Sequence, residues 1–236
     1  MQLFYAPDIT NENIYALSHE ESTHCIGALR YRKGQLLTLT DGNGHLYEAE
    51  IKEIARKQVI VKIRDKKQLP VERSCKLHIA IAPTKNMDRF EWFLEKVTEI
   101  GIDEITPMIT ENSERKSIRP DRLDKIIVSA MKQSLKAYKP ILNPLYSFEE
   151  ILSMSHSDYQ PFIANCKASA KELLKRKYRA GANAIILIGP EGDFTAEEIE
   201  NAVNRGFESV SLGNNILRTE TAGVVACHAV NFMNMG

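Results

Sequence analysis

Two hydrophobic periodicities divide the chain. Residues 35–51, "QLLTLTDGNGHLYEAEI", hold two extended runs that interleave apolar and polar side chains around Asp41-Gly42-Asn43-Gly44. Gly and Asn tolerate positive φ, so the stretch predicts a β-hairpin. "QVIVKI" (58–63) adds a β-branched strand. No run up to about residue 72 has helical spacing, which predicts a small all-β, barrel-like module. Residues 66–74, "KKQLPVERS", are polar, contain Pro70 and predict a linker.

From residue 76 the pattern changes. Apolar strand-like runs appear at "LHIAIA", "EITPMI", "PFIANC", "AIILIG" and "SVSLG". Between the first two, Phe90, Phe93, Leu94, Val97 and Ile100 fall on one helical stripe. A second stripe, Leu123, Ile126, Ile127, Ala130, Met131 and Ser134, starts near Pro120 and stops before Pro140. Thr195 and Glu198 make a Thr-x-x-Glu capping box, and Gly206 is placed to end that helix. Such alternation predicts an α/β domain, a parallel sheet covered by helices on both faces.

Composition narrows the class. Of the 236 residues, 43% are hydrophobic and 26% charged, as in ordinary globular proteins. No apolar run approaches the roughly 20 residues of a membrane span, and "MQLFYAPDIT" has no secretory pattern, so no membrane is expected. Cys25, Cys75, Cys166 and Cys227 are scattered, without ligand spacing. A reduced cytosolic protein with no metal is the expectation. Net charge is zero, but its distribution is uneven: Arg115–Lys139 hold eight bases against Asp121 and Asp124, and Lys167–Arg179 six against Glu172. Residues 189–200 carry five acids and no base. Basic segments of this kind suit a phosphate-bearing partner or a solvated helix face.

Candidate chemistry lies beyond two strand ends, where open α/β sheets bind ligands. Gly189-Pro190-Glu191-Gly192-Asp193 follows "AIILI", and Gly213-Asn214-Asn215 follows "SVSL". Gly189 and Gly192 would let backbone approach a ligand with no Cβ in the way. Neither loop is a dinucleotide or P-loop motif, and the acids would repel a pyrophosphate. A neutral or cationic ligand centre suits them better.

"IGPEGDFTAEEI" (188–199) with "SLGNNILRTETA" (211–222) resembles the signature of the uridine-N3 ribosomal RNA methyltransferase family, ribosomal RNA small subunit methyltransferase E, of the SPOUT superfamily. "HCIGALRYRKGQ" (24–35) and "DGNG" resemble its N-terminal PUA-like β-barrel. "KNMDRFEWFLEKVTEIGI" (85–102), "ITPMITENS" (105–113) and "KQS" (132–134) resemble its central motifs. The resemblance implies a PUA-like RNA-binding barrel over 1–70 and, over 75–236, an α/β methyltransferase domain with a deep trefoil knot. It implies S-adenosylmethionine as cofactor, held by Ile188, Gly189, Pro190, Glu191, Gly192, Leu212, Gly213, Ile216, Leu217, Thr219, Thr221 and Ala222.

It further implies 16S ribosomal RNA or the small ribosomal subunit as partner, a homodimer, and a cytoplasmic location. Arg218 matches the Leu-Arg-Thr-Glu-Thr arginine and is the candidate for stabilising the uracil anion, unless it pairs with Glu220 or Glu191. Glu191 or Glu220 is either the base or a buried acceptor of backbone N–H groups. His24 is expected to be structural. Arg30, Arg32, Lys85, Arg89, Gln133 and Lys136 are the expected RNA contacts. The chain departs from the common pattern at Leu135-Lys136, where Gly-Arg is frequent, and at Asn215. Another RNA substrate such as transfer RNA, or a non-catalytic assembly factor, are the alternatives.

Overall fold

The computed structural model describes residues 2–10, 13–71, 75–166 and 172–235. They fall into two compact units, residues 1–72 with 128–139, and residues 73–127 with 140–236. The first holds β1 (Leu3–Tyr5), β2 (Ile14–Ala16), α1 (His19–Thr23), β3 (Leu36–Thr40), β4 (His45–Ala55) and β5 (Gln58–Gln68), in sheet order β1-β3-β4-β5-β2. The predicted hairpin is β3–β4, with Gly42 and Gly44 both at positive φ in its turn. Phe4, Leu37, Leu39, Ala49, Ile51, Val59 and Val61 fill its core.

Two expectations are corrected here. Residues 19–28 are helical, α1 running into a π turn over His24–Ala28. Its cause is capping rather than periodicity: Ser18 Oγ accepts the Glu21 N–H at 3.2 Å, and Ser22 Oγ ties the turn to β5 by accepting the Val59 N–H at 3.0 Å. The linker begins later than expected, because Lys66–Gln68 pair with β4 as the end of β5; residues 72–74 of it lie outside the described residues.

The segment 128–139 packs within this unit. Ala137 C=O accepts the Gly44 N–H at 2.9 Å, Lys139 N–H donates to Gly42 C=O at 2.8 Å, and Lys132 Nζ meets the buried Glu21 carboxylate at 2.5 Å. Leu135 reverses the chain at φ +59° with an exposed side chain.

The second unit comprises β6 (Leu77–Ile81), α2 (Met87–Ile100), β7 (Glu104–Ile109), α3 (Pro120–Gln133, of which residues 128–133 belong to the first unit), β8 (Ile141–Leu142), β9 (Tyr146–Ser147), α4 (Phe148–Ser153), β10 (Gln160–Ala164), β11 (Glu172–Leu173), α5 (Leu174–Lys177), β12 (Ala184–Ile188), α6 (Ala196–Asn204), β13 (Glu208–Ser211) and α7 (Thr219–Met233). Every described strand pair is parallel, in the order β11-β13-β10-β12-β6-β7-β8, with β9 also beside β7. Side chains alternate across the sheet with period two. Leu77, Ile79, Ile81, Ala184, Ile186 and Ile188 pack with Phe90, Phe93, Val97, Ala226 and Val230 on one face. Ala80, Ile185 and Leu187 pack with Phe148, Ile151 and Ala202 on the other. The expected α/β layering is observed, and Thr195 and Glu198 form the capping box in both directions.

His78, early in β6, is buried, with Nε2 2.7 Å from Thr106 Oγ1. Burial pushes its pKa down to about 4; His156 adds to this, and Glu104 opposes it.

Two outcomes follow for stability. Below an unfolded-state pKa of about 6.5, the unfolded chain takes a proton at His78 that the folded chain refuses. The stability is therefore complete above that pH and falls as pH drops toward 4, by up to about 3 kcal/mol. Urea midpoints at pH 7.5 and 5 should diverge in the wild type and much less in His78→Asn. Separately, a non-glycine residue in the left-handed region costs about 1–2 kcal/mol, partly offset in glycine by a looser unfolded chain. Leu135→Gly should raise the urea midpoint; a fall would mean that the leucine side chain outweighs the backbone strain.

Candidate active site

A cavity of about 660 Å³ opens beyond the carboxyl ends of three adjoining strands. Its walls are Ala164–Cys166 after β10, Ile188–Asp193 after β12, and the run from Ser211 to Thr219 with Ala222 between β13 and α7. Parallel register brings them level: Ala164 pairs with Ile188 on one side of β10 and with Val210 on the other.

Each wall is tied to its neighbour by a side chain. Asp193, at φ +59°, accepts the Cys166 N–H at 2.7 Å through Oδ2 and its neighbour's N–H at 2.8 Å through Oδ1. Ser211 Oγ donates to Gly213 C=O at 2.7 Å, while Gly213 takes φ +149°, a conformation glycine permits. Asn165, buried, donates to Ser209 Oγ at 2.8 Å. The spaces left by the missing side chains of Gly189 and Gly192 face protein: a Cβ would stand 3.1 Å from the Phe194 ring in one case and 3.2 Å from Asn112 Cβ in the other. Both glycines thus leave room for neighbouring side chains while their backbone lines the cavity.

Of the residues assigned to a cofactor, Ile188, Gly189, Pro190, Glu191, Gly192, Leu212, Gly213, Ile216, Leu217, Thr219 and Ala222 all line the cavity. Thr221 sits one position before Ala222 in α7, half-buried and outside the lining. Ala164, Asn165 and Cys166 were missed, because nothing in "PFIANC" distinguishes a strand that ends at a cavity from one that does not.

The three charged candidates separate clearly. Arg218 lines the cavity and is exposed; its C=O accepts the Ala222 N–H at 2.7 Å, while its guanidinium makes no hydrogen bond or ion pair among the described residues. It is the N-cap of α7, yet its side chain makes no capping bond. Glu191 also lines the cavity, but its Oε1 accepts the Lys85 N–H at 3.0 Å. Glu220 lies outside the lining and is buried, with Oε1 3.9 Å from Arg89 Nε and no partner for Oε2. Neither acid pairs with Arg218.

The expected RNA contacts divide between the units. Arg30, at φ +55°, Arg32 and Gln133 are exposed in the first, and Lys136 is half-buried there. Lys85, bound to Glu114 at 2.8 Å, and Arg89 belong to the second. His24 Nε2 lies 3.3 Å from Gln2 Nε2, and His24 is not among the residues lining the cavity.

Comparison with known proteins gives the site a context. Residues 71–231 match the RNA methyltransferase domain family, and residues 17–64 match the RNA methyltransferase PUA domain. A ribosomal RNA small subunit methyltransferase E from Rickettsia conorii is 27% identical over 224 residues, covering 94% of this chain and 91% of its own. The fold is similar to that of a methyltransferase from Legionella pneumophila solved with bound S-adenosylmethionine, at 30% identity and TM-score 0.87 over 97% of this chain and 96% of that one. It is also similar to a ribosomal RNA small subunit methyltransferase E from Neisseria gonorrhoeae bound to the same molecule, at 27% identity and TM-score 0.88 over 98% and 97%.

The start of α7 reaches the cavity because Gly223 lets it approach α2. A Cβ there would overlap the Phe93 ring and stand 3.0 Å from Ile81 Cδ1. Overpacking of a buried contact costs roughly 1–3 kcal/mol. Gly223→Ala should lower the thermal midpoint by several degrees, as seen by calorimetry; an unchanged midpoint would show that the helices part without cost.

Proposed function

The chain belongs to the RNA methyltransferase family, and from that premise we propose that it methylates N3 of a uridine in 16S ribosomal RNA, with S-adenosylmethionine as donor. The observation that carries this reading is the cavity with an uncommitted arginine in its wall. Its volume lies within the roughly 300–1,000 Å³ of small-molecule sites. Apolar Ile188, Leu212, Leu217 and Ala222 alternate there with backbone polar groups, and the acids Glu191 and Asp193 suit a donor carrying positive charge. That donor supplies a methyl group on a sulfonium centre. The protein's part is to align the two reactants and to stabilise the uracil ring as N3 loses its proton and charge spreads to the ring oxygens.

Arg218 takes that second role. The partners of Glu191 and Glu220 favour a structural role for both, as an acceptor at the loop junction and as a buried anchor of α7. Residues 1–70, with Arg30 and Arg32, would hold RNA, as would Lys85, Arg89, Gln133 and Lys136. Residues 75–236 form the methyltransferase domain, and its topology supports a trefoil knot. After β13, outside β10 in the sheet, the chain returns to pack α7 on α2, β6 and β12. A homodimer is supported by α7, where His228 and Phe232 are exposed, by the exposed Met235 just beyond it, and by the exposed Trp92 on α2. A protein that acts on the small ribosomal subunit would work in the cytoplasm. Separately, among the described residues no helix is long and apolar enough to cross a membrane.

Arg218→Lys tests the assignment, since it keeps the charge and removes the planar fork. Loss of one preorganised donor at developing charge costs about 100-fold or more. Single-turnover methyl transfer to small-subunit RNA should fall by that order, while calorimetric affinity for S-adenosylmethionine stays near wild type. Transfer at the wild-type rate would remove Arg218 from the chemistry.

A further inference from the structure

The turn Pro190–Asp193 forms one wall of the cavity, yet little within it holds its shape. Its one internal backbone bond runs from Asp193 N–H to Pro190 C=O at 2.9 Å, and Asp193 is in a left-handed conformation that disfavours a side chain. The rest comes from outside. Asn112, in the loop after β7, donates through Nδ2 to Asp193 C=O at 2.9 Å and to Gly192 C=O at 3.3 Å. Both acceptors are carbonyls, so only the NH₂ end of an amide serves them.

The loop carrying Asn112 is itself anchored at the same place. Thr110 N–H donates to Ser113 Oγ at 2.9 Å, closing the loop into a turn. Glu111 N–H donates to Glu198 Oε1 at 2.9 Å, and Glu198 caps α6, which follows directly from the cavity turn. Gly192 lacks the Cβ that would press on Asn112 Cβ. With two carbonyls of the turn taken by Asn112 and Asp193 N–H returned to Pro190, the N–H groups of Glu191 and Gly192 make no hydrogen bond among the described residues. They are left free for a bound molecule or for water.

We propose that Asn112 is a positioning residue for cofactor binding, which shapes the Pro190–Asp193 turn through its two carbonyl contacts without touching the cofactor itself. The proposal rests on the reading of the cavity as the S-adenosylmethionine site. Asn112 is exposed, so its removal should barely disturb folding.

Calorimetry with S-adenosylmethionine and with S-adenosylhomocysteine, beside thermal melting, tests it on the full chain. Asn112→Ala should weaken binding of both by about tenfold, as expected for two modest hydrogen bonds, with a thermal midpoint within about 2 °C of wild type. Asn112→Asp should bind worse than Asn112→Ala at pH 8, where a carboxylate faces two carbonyl oxygens. Toward pH 4, where about half of a carboxyl with an ordinary pKa near 3.9 is protonated, its affinity should move back toward that of wild type, because a protonated carboxyl can donate one of the lost bonds. A wild-type affinity in Asn112→Ala overturns the proposal alone. So does a loss that follows a comparable fall in midpoint and shows no recovery of Asn112→Asp toward pH 4. A wild-type protein that binds neither molecule overturns the reading of the cavity and this proposal together.

Discussion

Parallel pairing in one register, Ile81 with Ile188, Ile188 with Ala164, and Ala164 with Val210, is the constraint on which the site depends. It ends four strands at one level, so the loops after β10, β12 and β13 meet. A slip of one residue at β12 would move its loop by about 3.3 Å and turn Ile186 and Ile188 from one core to the other. Both faces of the sheet are buried and their two side-chain sets differ: Ile79, Ile81 and Phe162 pack against α2 and α7, while Ala80 and Ile163 pack toward α4 and α6. The hydrophobic effect thus sets the register, and the register sets the cavity.

Once the loop ends meet, acids rather than apolar contacts fasten them. The run 189–200 carries five acids, and three of them accept backbone N–H groups from other segments. Glu191 takes the N–H of Lys85, Asp193 that of Cys166, and Glu198 that of Glu111. A carboxylate accepting an amide N–H makes a charge-assisted bond, stronger than a neutral one. This accounts for an acid cluster beside a cavity without requiring any of its members to move a proton.

The long elements were legible because each satisfies a period over enough residues to stand out. α2 and α3 carry apolar stripes, β6 and β12 are continuous apolar runs, and the Thr195–Glu198 box is a local signal. What escaped was short or held by partners distant in sequence. α1 is five residues long and depends on Ser18; β8, β9 and β11 are two residues each and exist only as edge additions to a sheet already formed. The two cavity loops were readable from their resemblance to a known signature, whereas Cys166 and Asn112 join the site through contacts across 27 and 81 positions of chain. No local pattern encodes such contacts. The side chains of Phe194 and Asn112 beside Gly189 and Gly192 were not readable either, since a sequence shows that a side chain is missing but not what occupies its place.

Arg218 stands apart because it breaks local rules that its surroundings obey. An N-cap position favours Ser, Thr, Asp or Asn, whose side chains satisfy a free helix N–H. Arg218 makes no such bond, while Thr195 and Ser147 cap their helices fully in the same domain. A cation there also faces the positive end of the α7 dipole, an arrangement unfavourable by about 0.3–1 kcal/mol at an exposed position. Among the described residues no acid pairs with it: Glu191 is bonded to backbone, and Glu220, in the first turn of α7, lies 3.9 Å from Arg89. A substitution by Ser or Asp would improve the helix on every local count, so folding does not explain the arginine. The proposed methyl transfer would explain it, at the wall of a cavity where a local rule is broken. An unpaired guanidinium already repelled by a helix terminus has the most to gain from an anion, and under that proposal a uracil ring losing its N3 proton would supply one.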